Sequence, residues 1–515
     1  MPRAFNTAGP CRADIDYMLP PTARLPEVMP LIDGQRYFVL HAARQTGKTT
    51  ALLALAEELT ASGRYVSALV SMEVGAPFGD DPGTAERAIL SSWRRAVEAQ
   101  LPRDLQPPPW PEAEDGDAIG VALKTWSETA PRPLVVFLDE IDALADDTLI
   151  SVLRQLRDGY RNRPSHFPWS LALIGLRDVR DYKLREGVAG RLGTASPFNI
   201  KARSLTLANF SAADVAQLYR QHTDDTGQAF TSEAVARAFE LTQGQPWLVN
   251  ALAQVVVEDL VPNRAESITV AVFDQAKEML IARQDTHLDS LAERLREPRV
   301  RAVVEPILAG GAAAHDLPED DIRFAVDLGL VRWNGGLQIA NPIYGEIIPR
   351  VLAVTARAYL PRLDPIWLRP DGRLDAARLL EAFLKFWRQH GEPLMRGVPY
   401  AEVAPHLVLM AFLDRVRNAG GTLEREYAVG SGRMDLLLRY GPDRFAFELK
   451  VWRDGRPDPL AEGLEQIDAY LAGLSLDTGW LVIFDRRTGQ PPIEARTSAA
   501  EAVTPAGRTV TVVRG

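Results

Sequence analysis

Short apolar runs alternate with helical patterns over residues 1–203. The runs are "RYFVLHA", "YVSALVSM", "PLVVFLDEIDAL" and "SLALIGL", and each is bounded by polar residues. Short continuous apolar runs of this kind are typical of buried parallel strands. Between them, "ALLALAEEL" has the spacing of a helix, and residues 75–133 have the character of an insertion around "PPPWP". Strands that alternate with helices predict a doubly wound α/β domain.

From residue 204 the spacing becomes helical, as in "NFSAADVAQLYRQHT" and "FTSEAVARAFELTQGQPWLVNAL". Ser211 and Ser232 are predicted helix N-caps, because each precedes a periodic apolar stretch. The turn Gly244-Gln245-Pro246 is predicted to end one helix and begin the next. This pattern predicts a small helical lid over residues 204–286.

Residues 287–360 are predicted to form helices followed by a β-hairpin, "LVRWNGGLQIA". Asn334-Gly335 is a strong signal for a tight hairpin turn. A helix followed by such a hairpin is similar to the last helix and wing of a winged helix. A winged helix is compatible with DNA binding and equally with a packing or regulatory role. Beyond it, residues 361–515 begin with a Pro- and Gly-containing linker and continue as a second α/β pattern.

The composition is that of an ordinary globular protein, with 515 residues, 46% hydrophobic and 24% charged. The formal net charge of −10 means that any nucleic-acid site must be a local basic patch. The single cysteine, Cys11, excludes an intramolecular disulfide and a Cys-based zinc site, and it fits a reducing cytoplasm. The N-terminal stretch lacks the apolar core of a signal peptide, and no run approaches the ~18–20 apolar residues of a membrane span. We therefore expect a cytoplasmic protein without a membrane partner.

The stretch "HAARQTGKTT" stands between a predicted strand and a predicted helix, which is the context of a phosphate-binding P-loop. Ala42 replaces the first glycine of the G-x-x-x-x-G-K-[ST] pattern. Backbone N–H groups of the loop and the helix N-terminus cradle phosphate oxygens, and the glycine before the lysine permits their close approach. The lysine reaches the β- and γ-phosphates, and the following hydroxyl binds Mg²⁺. The predicted nucleotide-binding residues are Ala43, Arg44, Gln45, Thr46, Gly47, Lys48, Thr49 and Thr50.

Two carboxylates follow the apolar run "LVVFLDEID". At the end of a buried strand beside a P-loop, Asp139 is suited to hold Mg²⁺ together with Thr49. Glu140 is suited to polarise the attacking water. The sequence therefore predicts a site for ATP and Mg²⁺.

Several segments together resemble bacterial AAA-type P-loop ATPases related to the STAND and archaeal-ATPase groups, over about residues 4–350. The segments are "RQTGKTT", "FLDEID", "LIGLRDVRDYK", "SPFNIK" and "GQPWLVNAL". The resemblance implies an α/β multidomain protein with a P-loop ATPase core, a helical lid and a winged helix. It also implies a possible nucleotide-dependent homo-oligomer, since STAND relatives often assemble when they bind nucleotide.

The same resemblance suggests roles for polar residues after the fourth predicted strand. Arg177 and Asp178 correspond to a sensor that contacts the γ-phosphate or the attacking water. Arg185 and Arg191 are candidates for an arginine finger, or they form ordinary surface salt bridges. The Gly-Gln-Pro turn resembles a lid turn that lies near the nucleotide, or it is a plain helix break.

Near the end of the chain, "GRMDLLLRYGPDRFAFELKVW" predicts a hairpin with its turn at Gly441-Pro442-Asp443. Asp435 lies near the start of one strand and Glu448 near the end of the next, so these ends meet in an antiparallel pair. Lys450, two residues further, projects from the same face as Glu448. Carboxylates suit Mg²⁺ or Mn²⁺, and such a metal lowers the pKa of a bound water. The lysine can orient that water.

This arrangement resembles the PD-(D/E)XK nuclease superfamily over about residues 395–490, which implies a C-terminal α/β restriction-endonuclease-like domain. The resemblance adds Glu402 as an outer metal-binding carboxylate on the preceding helix. On the following helix, Gln466 and Tyr470 match a Q-x-x-x-Y pattern, with Gln466 in the active site. Met434 stands where the superfamily's proline would be. Three alternatives stay open: an ordinary amphipathic hairpin, a module that keeps this geometry and binds without cutting, and a nuclease that works only in an activated state.

Taken together, the two motifs predict an ATPase that gates or powers a metal-dependent nuclease acting on DNA or, less favoured, RNA. A role in defence or in a mobile element would suit this pairing. Two alternatives stay open. One is a signalling or scaffold ATPase with an inactive, nucleic-acid-binding nuclease fold, and the other is an ATP-driven DNA translocase.

Overall fold

The computed structural model describes most of the chain, in two compact units. The first unit contains Met1–Leu280 with Asp327–Gly329, and the second contains Ile281–Val326 with Leu330–Gly515. The finer division into four domains at residues 203, 286 and 360 stays a prediction. The described residues are 3–176, 200–283, 294–295, 297–308, 317–358, 367–371, 373–397, 404–417, 421–426 and 435–515.

A parallel five-stranded sheet forms the centre of the first unit. Its order is β2-β3-β4-β1-β5, with every neighbouring pair parallel. Every residue of β3 and β4 is buried, because helices cover both faces of the sheet. The predicted doubly wound α/β core is thus confirmed. The strands are β1 (Tyr37–His41), β2 (Val66–Ser71), β3 (Leu134–Asp139), β4 (Ser170–Gly175) and β5 (Arg203–Thr206).

Two apolar clusters lie in this unit, and each contains residues of the sheet. One is built with α1 (Val28–Asp33) and α2 (Lys48–Ala61). The other is built with α3 (Pro82–Gln100), α4 (Ala118–Thr129) and α5 (Asp146–Gly159), and it fully buries Trp93 and Trp126. The segment predicted as an insertion therefore supplies part of the core.

The described residues after the sheet form four α-helices: α6 (Ala212–Thr226), α7 (Ser232–Thr242), α8 (Pro246–Gln254) and α9 (Val270–Arg283). A π-helical segment, Val255–Leu260, directly follows α8. Ser211 caps α6 in a reciprocal capping box with Asp214, as predicted. The prediction that Ser232 caps α7 was wrong. Thr231 has the extended backbone of a cap, and its hydroxyl accepts the Ala234 N–H, so the helix begins one residue earlier than expected.

Three helices and a small hairpin are described within residues 298–308 and 317–358. The helices are α10 (Pro298–Leu308), α11 (Glu319–Asp327) and α12 (Pro342–Ala358). The hairpin pairs β6 (Val331–Trp333) with β7 (Leu337–Ile339) in antiparallel register. Gly335 has a φ of +66°, the positive value that the predicted Asn-Gly turn requires.

The last part of the second unit is built on a mixed six-stranded sheet of order β12-β13-β11-β10-β9-β8. β9 and β10 form an antiparallel hairpin, and α15 then connects β10 to the parallel strand β11. This is the predicted succession of hairpin, helix and strand. The elements are α13 (Ala376–Gly397), α14 (Ala404–Arg417), β8 (Gly421–Glu426), β9 (Asp435–Tyr440), β10 (Asp443–Trp452), α15 (Leu460–Leu474), β11 (Thr478–Asp485), α16 (Ile493–Arg496), β12 (Ser498–Val503) and β13 (Thr509–Arg514).

Candidate functional site

The loop between β1 and α2 has the backbone of a phosphate-binding loop. Gly47 immediately precedes α2 with a φ of +82°, in the left-handed region. A β-carbon there would also lie 3.4 Å from Nη1 of Arg24. Left-handed backbone costs a residue with a side chain about 1–2 kcal/mol, so the geometry favours glycine at this position.

Lys48, the first residue of α2, turns back onto its own loop. Its Nζ donates to the carbonyls of Ala42 (2.6 Å) and Ala43 (2.9 Å). Burial lowers the pKa of Lys48 to about 8, although nearby Asp139 opposes this shift. The ammonium therefore lies in a poorly solvated position, where it donates to two neutral carbonyl oxygens.

Thr49 and Asp139 meet across the loop and the end of β3. The Thr49 hydroxyl donates to Oδ2 of Asp139 at 3.0 Å, although 90 positions separate them in sequence. Asp139 is buried, and this burial raises the pKa of its carboxyl group despite the hydrogen bond from Thr49. A hydroxyl and a carboxylate are hard oxygen ligands of the kind that Mg²⁺ takes. The two residues fit the predicted metal site.

Glu140, the next residue, is held in an uncommon conformation. Its φ is +58°, a region that residues other than glycine rarely adopt and that often marks functional sites. Ser71, at the end of β2, donates to Oε2 of Glu140 at 2.7 Å. Burial raises the pKa of the Glu140 carboxyl group above its usual range. A carboxylate with a raised pKa at the end of the sheet is a stronger proton acceptor than an ordinary one.

A cavity of about 350 Å³ adjoins the loop, within the size range of small-molecule pockets. Its wall combines the N-terminal segment between Asn6 and Leu19 with Phe210 and with Trp247 of α8. Of the predicted nucleotide-binding residues, Ala43, Arg44 and Thr46 lie in the loop but not in the cavity wall. Those in the wall are Gln45, Gly47, Lys48, Thr49 and Thr50.

Arg24 also lies in the cavity wall, and the sequence analysis did not identify it. Its guanidinium donates to the Thr46 carbonyl (2.9 Å) and to the Ala208 carbonyl, and it stacks on the Phe210 ring at 4.9 Å. Burial lowers the pKa of Arg24 to about 10. No spacing in the sequence points to Arg24, because it belongs to a short 3₁₀ turn that only folding brings to the loop.

The predicted lid turn lies beside the same loop. Gly244 has a φ of +70°, and a β-carbon there would lie 1.8 Å from the Phe210 carbonyl oxygen. Gln245 caps α8 through Leu248 N–H, and its Nε2 lies 3.5 Å from the Gln45 carbonyl oxygen. The turn therefore lies next to the phosphate-binding loop, and its role as part of a lid stays a prediction.

The predicted sensor residues, Arg177 and Asp178, lie outside the described residues. The same holds for the two finger candidates, Arg185 and Arg191. Their roles stay predictions.

In the second unit, the register of β9 and β10 pairs Leu436 with Phe447. Continuing this register by one residue places the backbone of Asp435 opposite Glu448. The register is compatible with the predicted meeting of these strand ends, and the meeting of the two carboxylates stays a prediction. The side chain of Asp435 and all of Glu402 lie outside the described structure.

Glu448 and Lys450 lie on the face of β10 that α15 covers. Glu448 is fully buried, and Lys450 Nζ is 3.6 Å from its Oε1. The same Nζ is 2.9 Å from Oε1 of Glu462, which also accepts a hydrogen bond from Gln466 Nε2 at 2.7 Å. Lys450 and Gln466 are thus brought together, through a carboxylate that the sequence analysis missed. The sequence contains a signal for Glu462, because Glu462, Gln466 and Tyr470 are spaced four residues apart and therefore share one helix face.

Within the described part of the chain, no group of three or more His, Cys, Asp or Glu side chains could hold a metal ion. At the β10 site the described carboxylates are Glu448 and Glu462. A metal there also depends on Asp435 and Glu402, so this site stays a prediction.

No family model and no curated protein matches the chain. Solved structures with some likeness include a Walker-type ATPase of Pyrococcus abyssi, with 13% identity and a TM-score of 0.47 over 67% of this chain and 99% of that one. Others are Cdc6p from Pyrobaculum aerophilum (11%, 0.36, over 80% and 98%) and the RuvB branch migration motor of Thermotoga maritima (16%, 0.33, over 64% and 93%).

At these scores the likeness decides neither fold nor function. The loop, the parallel sheet and the Thr49–Asp139 contact nevertheless fit a P-loop nucleotide-binding core. In addition, none of the described helices combines the length and apolar character needed to cross a membrane.

Proposed function

We propose that the first unit is an AAA-type ATPase that binds ATP with Mg²⁺ and hydrolyses it. The observation that carries this proposal is the 3.0 Å contact between Thr49, after the glycine and lysine of the loop, and Asp139, at the end of a buried strand. The adjoining cavity provides room for a nucleotide. The buried amine of Lys48 provides a positive charge for its phosphates.

The residues take distinct roles in this proposal. Lys48 exchanges the carbonyls of Ala42 and Ala43 for phosphate oxygens, and Thr49 and Asp139 hold Mg²⁺. The bound Mg²⁺ neutralises charge that develops on the phosphates. Glu140 orients the attacking water and accepts its proton, for which a raised pKa is suited.

We further propose that the second unit carries a PD-(D/E)XK-like nuclease site, acting on DNA in preference to RNA. The support is the register of β9 and β10, which pairs Leu436 with Phe447, the neighbours of Asp435 and Glu448. Lys450 follows Glu448 by two residues on the same strand, with its Nζ 3.6 Å from Glu448 Oε1. Glu448 and Asp435 would hold Mg²⁺ or Mn²⁺, with Glu402 as an outer ligand. Such a metal supplies a water of lowered pKa. Lys450 orients that water, and Gln466 holds Glu462 in place beside it.

In the complete proposal, ATP binding or hydrolysis gates or powers cutting by the second unit. A nucleotide-dependent homo-oligomer belongs to the same proposal. It predicts that the particle mass rises on addition of ATP in wild type but not in Lys48→Ala. An unchanged mass in wild type would remove the oligomer from the proposal.

The decisive experiment is a cleavage assay on single-stranded DNA, double-stranded DNA and RNA, with Mg²⁺ or Mn²⁺, with and without ATP. We expect wild type to cut, Lys450→Ala to lose cutting while it keeps ATP hydrolysis, and Lys48→Ala to show how ATP controls the cut. ATP hydrolysis without cleavage under every condition would favour a scaffold ATPase with an inactive nuclease fold. Processive, DNA-stimulated hydrolysis without cleavage would favour a translocase.

A further inference from the structure

One of the two edge strands of the six-stranded sheet, β12, is exposed along nearly its whole length. Its sequence is SAAEAV, and five of its six residues are exposed, while Ala502 is half-buried. Val503 is 63% exposed, an unusual value for a branched apolar side chain in a strand. One edge of β12 pairs with β13, and among the described elements none pairs with its other edge. Such an edge presents a row of backbone donors and acceptors to another strand.

The parallel five-stranded sheet of the first unit shows how an edge can be closed. In β2, an edge strand of the first unit, Ser67 exchanges hydrogen bonds with the Thr60 hydroxyl. Leu69 exchanges two with the Gln100 side chain, at 2.9 and 2.7 Å. Side chains from the neighbouring helices thus form hydrogen bonds with the backbone groups of that edge. The described contacts of β12 include no such partner.

The side chains of β12 also suit pairing with an identical strand. Four of its residues are serine or alanine, and Glu501 carries its only charge. In an antiparallel pair with a two-fold axis at Ala500, each Glu501 lies opposite Ala499 of the second copy. The register therefore avoids like charges, which destabilise a strand pair when they lie directly opposite. Lysine, proline and bulges, which block edges in many proteins, do not occur in β12.

We propose that β12 pairs antiparallel with β12 of a second copy of this chain, forming a two-fold dimer with a continuous sheet. Strand addition of this kind draws its affinity from main-chain hydrogen bonds. The interface is self-complementary, as a two-fold dimer requires. It depends on neither the nucleotide site nor the nuclease proposal.

The test is the mass of the full-length protein across nanomolar to micromolar concentrations. We expect a monomer–dimer equilibrium in wild type. Ala500→Lys should weaken the dimer roughly tenfold or more, because it sets two like charges opposite each other at the axis. Ala472→Lys, which adds the same charge at an exposed position of α15, should leave it unchanged. Lys48→Ala should dimerise like wild type without nucleotide, which separates this interface from ATP-driven assembly.

A crosslink provides a second readout. Directly opposed residues of an antiparallel pair have Cα atoms about 4.5–5.5 Å apart, a distance that a disulfide spans. In a Cys11→Ser background, Ala500→Cys should form a covalent dimer on oxidation, and Ala472→Cys should not. If the wild-type protein stays monomeric, the proposal is wrong, even if β12 binds a different protein. A dimer that neither Ala500→Lys weakens nor Ala500→Cys crosslinks overturns it as well.

Discussion

Each of the two candidate sites contains a lysine, and the two lysines contact oxygens of different kinds. Lys48 donates to neutral backbone carbonyls, whereas Lys450 lies beside the carboxylates of Glu448 and Glu462. An arriving phosphate offers Lys48 a charge that its present partners lack. Lys450 already has opposite charges beside it. If the second unit binds a phosphodiester, as proposed, its phosphate would compete with Glu462 for the Lys450 ammonium group.

The first prediction concerns the pH dependence of nucleotide binding. Because burial lowers the pKa of Lys48 to about 8, its amine loses its proton as the pH rises through that value. A bound phosphate favours the charged amine, so binding takes up a proton and affinity falls at higher pH. Between pH 7 and pH 9 we expect affinity for a fluorescent ATP analogue to fall up to about tenfold.

The control for this prediction is Lys48→Arg. Its guanidinium stays charged throughout this range, so its binding should be nearly independent of pH. If the nucleotide affinity of the wild type is equally independent of pH, the charge of Lys48 does not govern binding.

The second prediction concerns Glu462. Removing its carboxylate in Glu462→Ala frees Lys450 and Gln466 from their common partner, so both lose their fixed positions. If the second unit cuts DNA, we expect cleavage to fall about tenfold or more, as for other residues that orient active-site groups. ATP hydrolysis should not change.

Glu465→Ala is the matched control, because Glu465 is an exposed glutamate of the same helix outside the Lys450 contacts. Equal losses in the two variants would count against a positioning role for Glu462.

At the scale of elements, strands, turns and loops with a short sequence signature could be predicted, whereas irregular segments could not. The strands β3 and β4 and the P-loop followed from continuous apolar runs and a compact motif. The Asn334-Gly335 hairpin followed from the requirement for positive φ. The cap at Thr231 was misplaced by one residue, because serine and threonine side by side offer the same hydroxyl.

Other features had no local signal. The N-terminal segment that lines the cavity lacks periodicity, so nothing in its sequence points to the P-loop. Arg24 is an example, since its partners Thr46 and Ala208 are distant in sequence. The helices α3 and α4 looked like an insertion because loops rich in proline and acidic residues hide their apolar faces.

The third prediction concerns the turn at the start of α8. In Gly244→Ala, the new β-carbon would lie 1.8 Å from the Phe210 carbonyl oxygen, in backbone that alanine disfavours. Strain and overpacking together should lower the free energy of unfolding by roughly 2–4 kcal/mol. Urea denaturation measures this change. Nucleotide affinity should fall too, because the turn contacts the loop through Gln245.

Gly227→Ala separates the two causes. Gly227 has a similar φ of +77°, but nothing lies within 4 Å of its β-carbon position. Its substitution should cost only the backbone strain of about 1–2 kcal/mol. If Gly244→Ala lowers the free energy of unfolding by no more than Gly227→Ala does, the backbone near Phe210 moves aside without a further energetic cost.

At the scale of the whole molecule, the two candidate sites lie in different compact units. Gating requires that a ligand of one unit change the affinity of the other, and thermodynamics makes this coupling reciprocal. If a non-hydrolysable ATP analogue tightens or weakens DNA binding by some factor, DNA must change affinity for the analogue by the same factor.

The fourth prediction is that this factor is at least about fivefold, the lower range of allosteric coupling. Lys450→Ala allows the measurement, because it should bind DNA without cutting it. Two titrations, each ligand with and without the other, provide the two factors. A factor of one in both directions would exclude gating through binding and leave hydrolysis as the means of control.

The only cysteine of the chain, Cys11, lies in the wall of the cavity beside the P-loop, where its N–H donates to the Thr50 hydroxyl. Burial raises the pKa of its thiol, so it should react slowly with alkylating reagents. A nucleotide in the cavity would slow that reaction further. The unmodified protein therefore carries an intrinsic probe of occupancy, since the rate of thiol labelling reports how much of the cavity is filled.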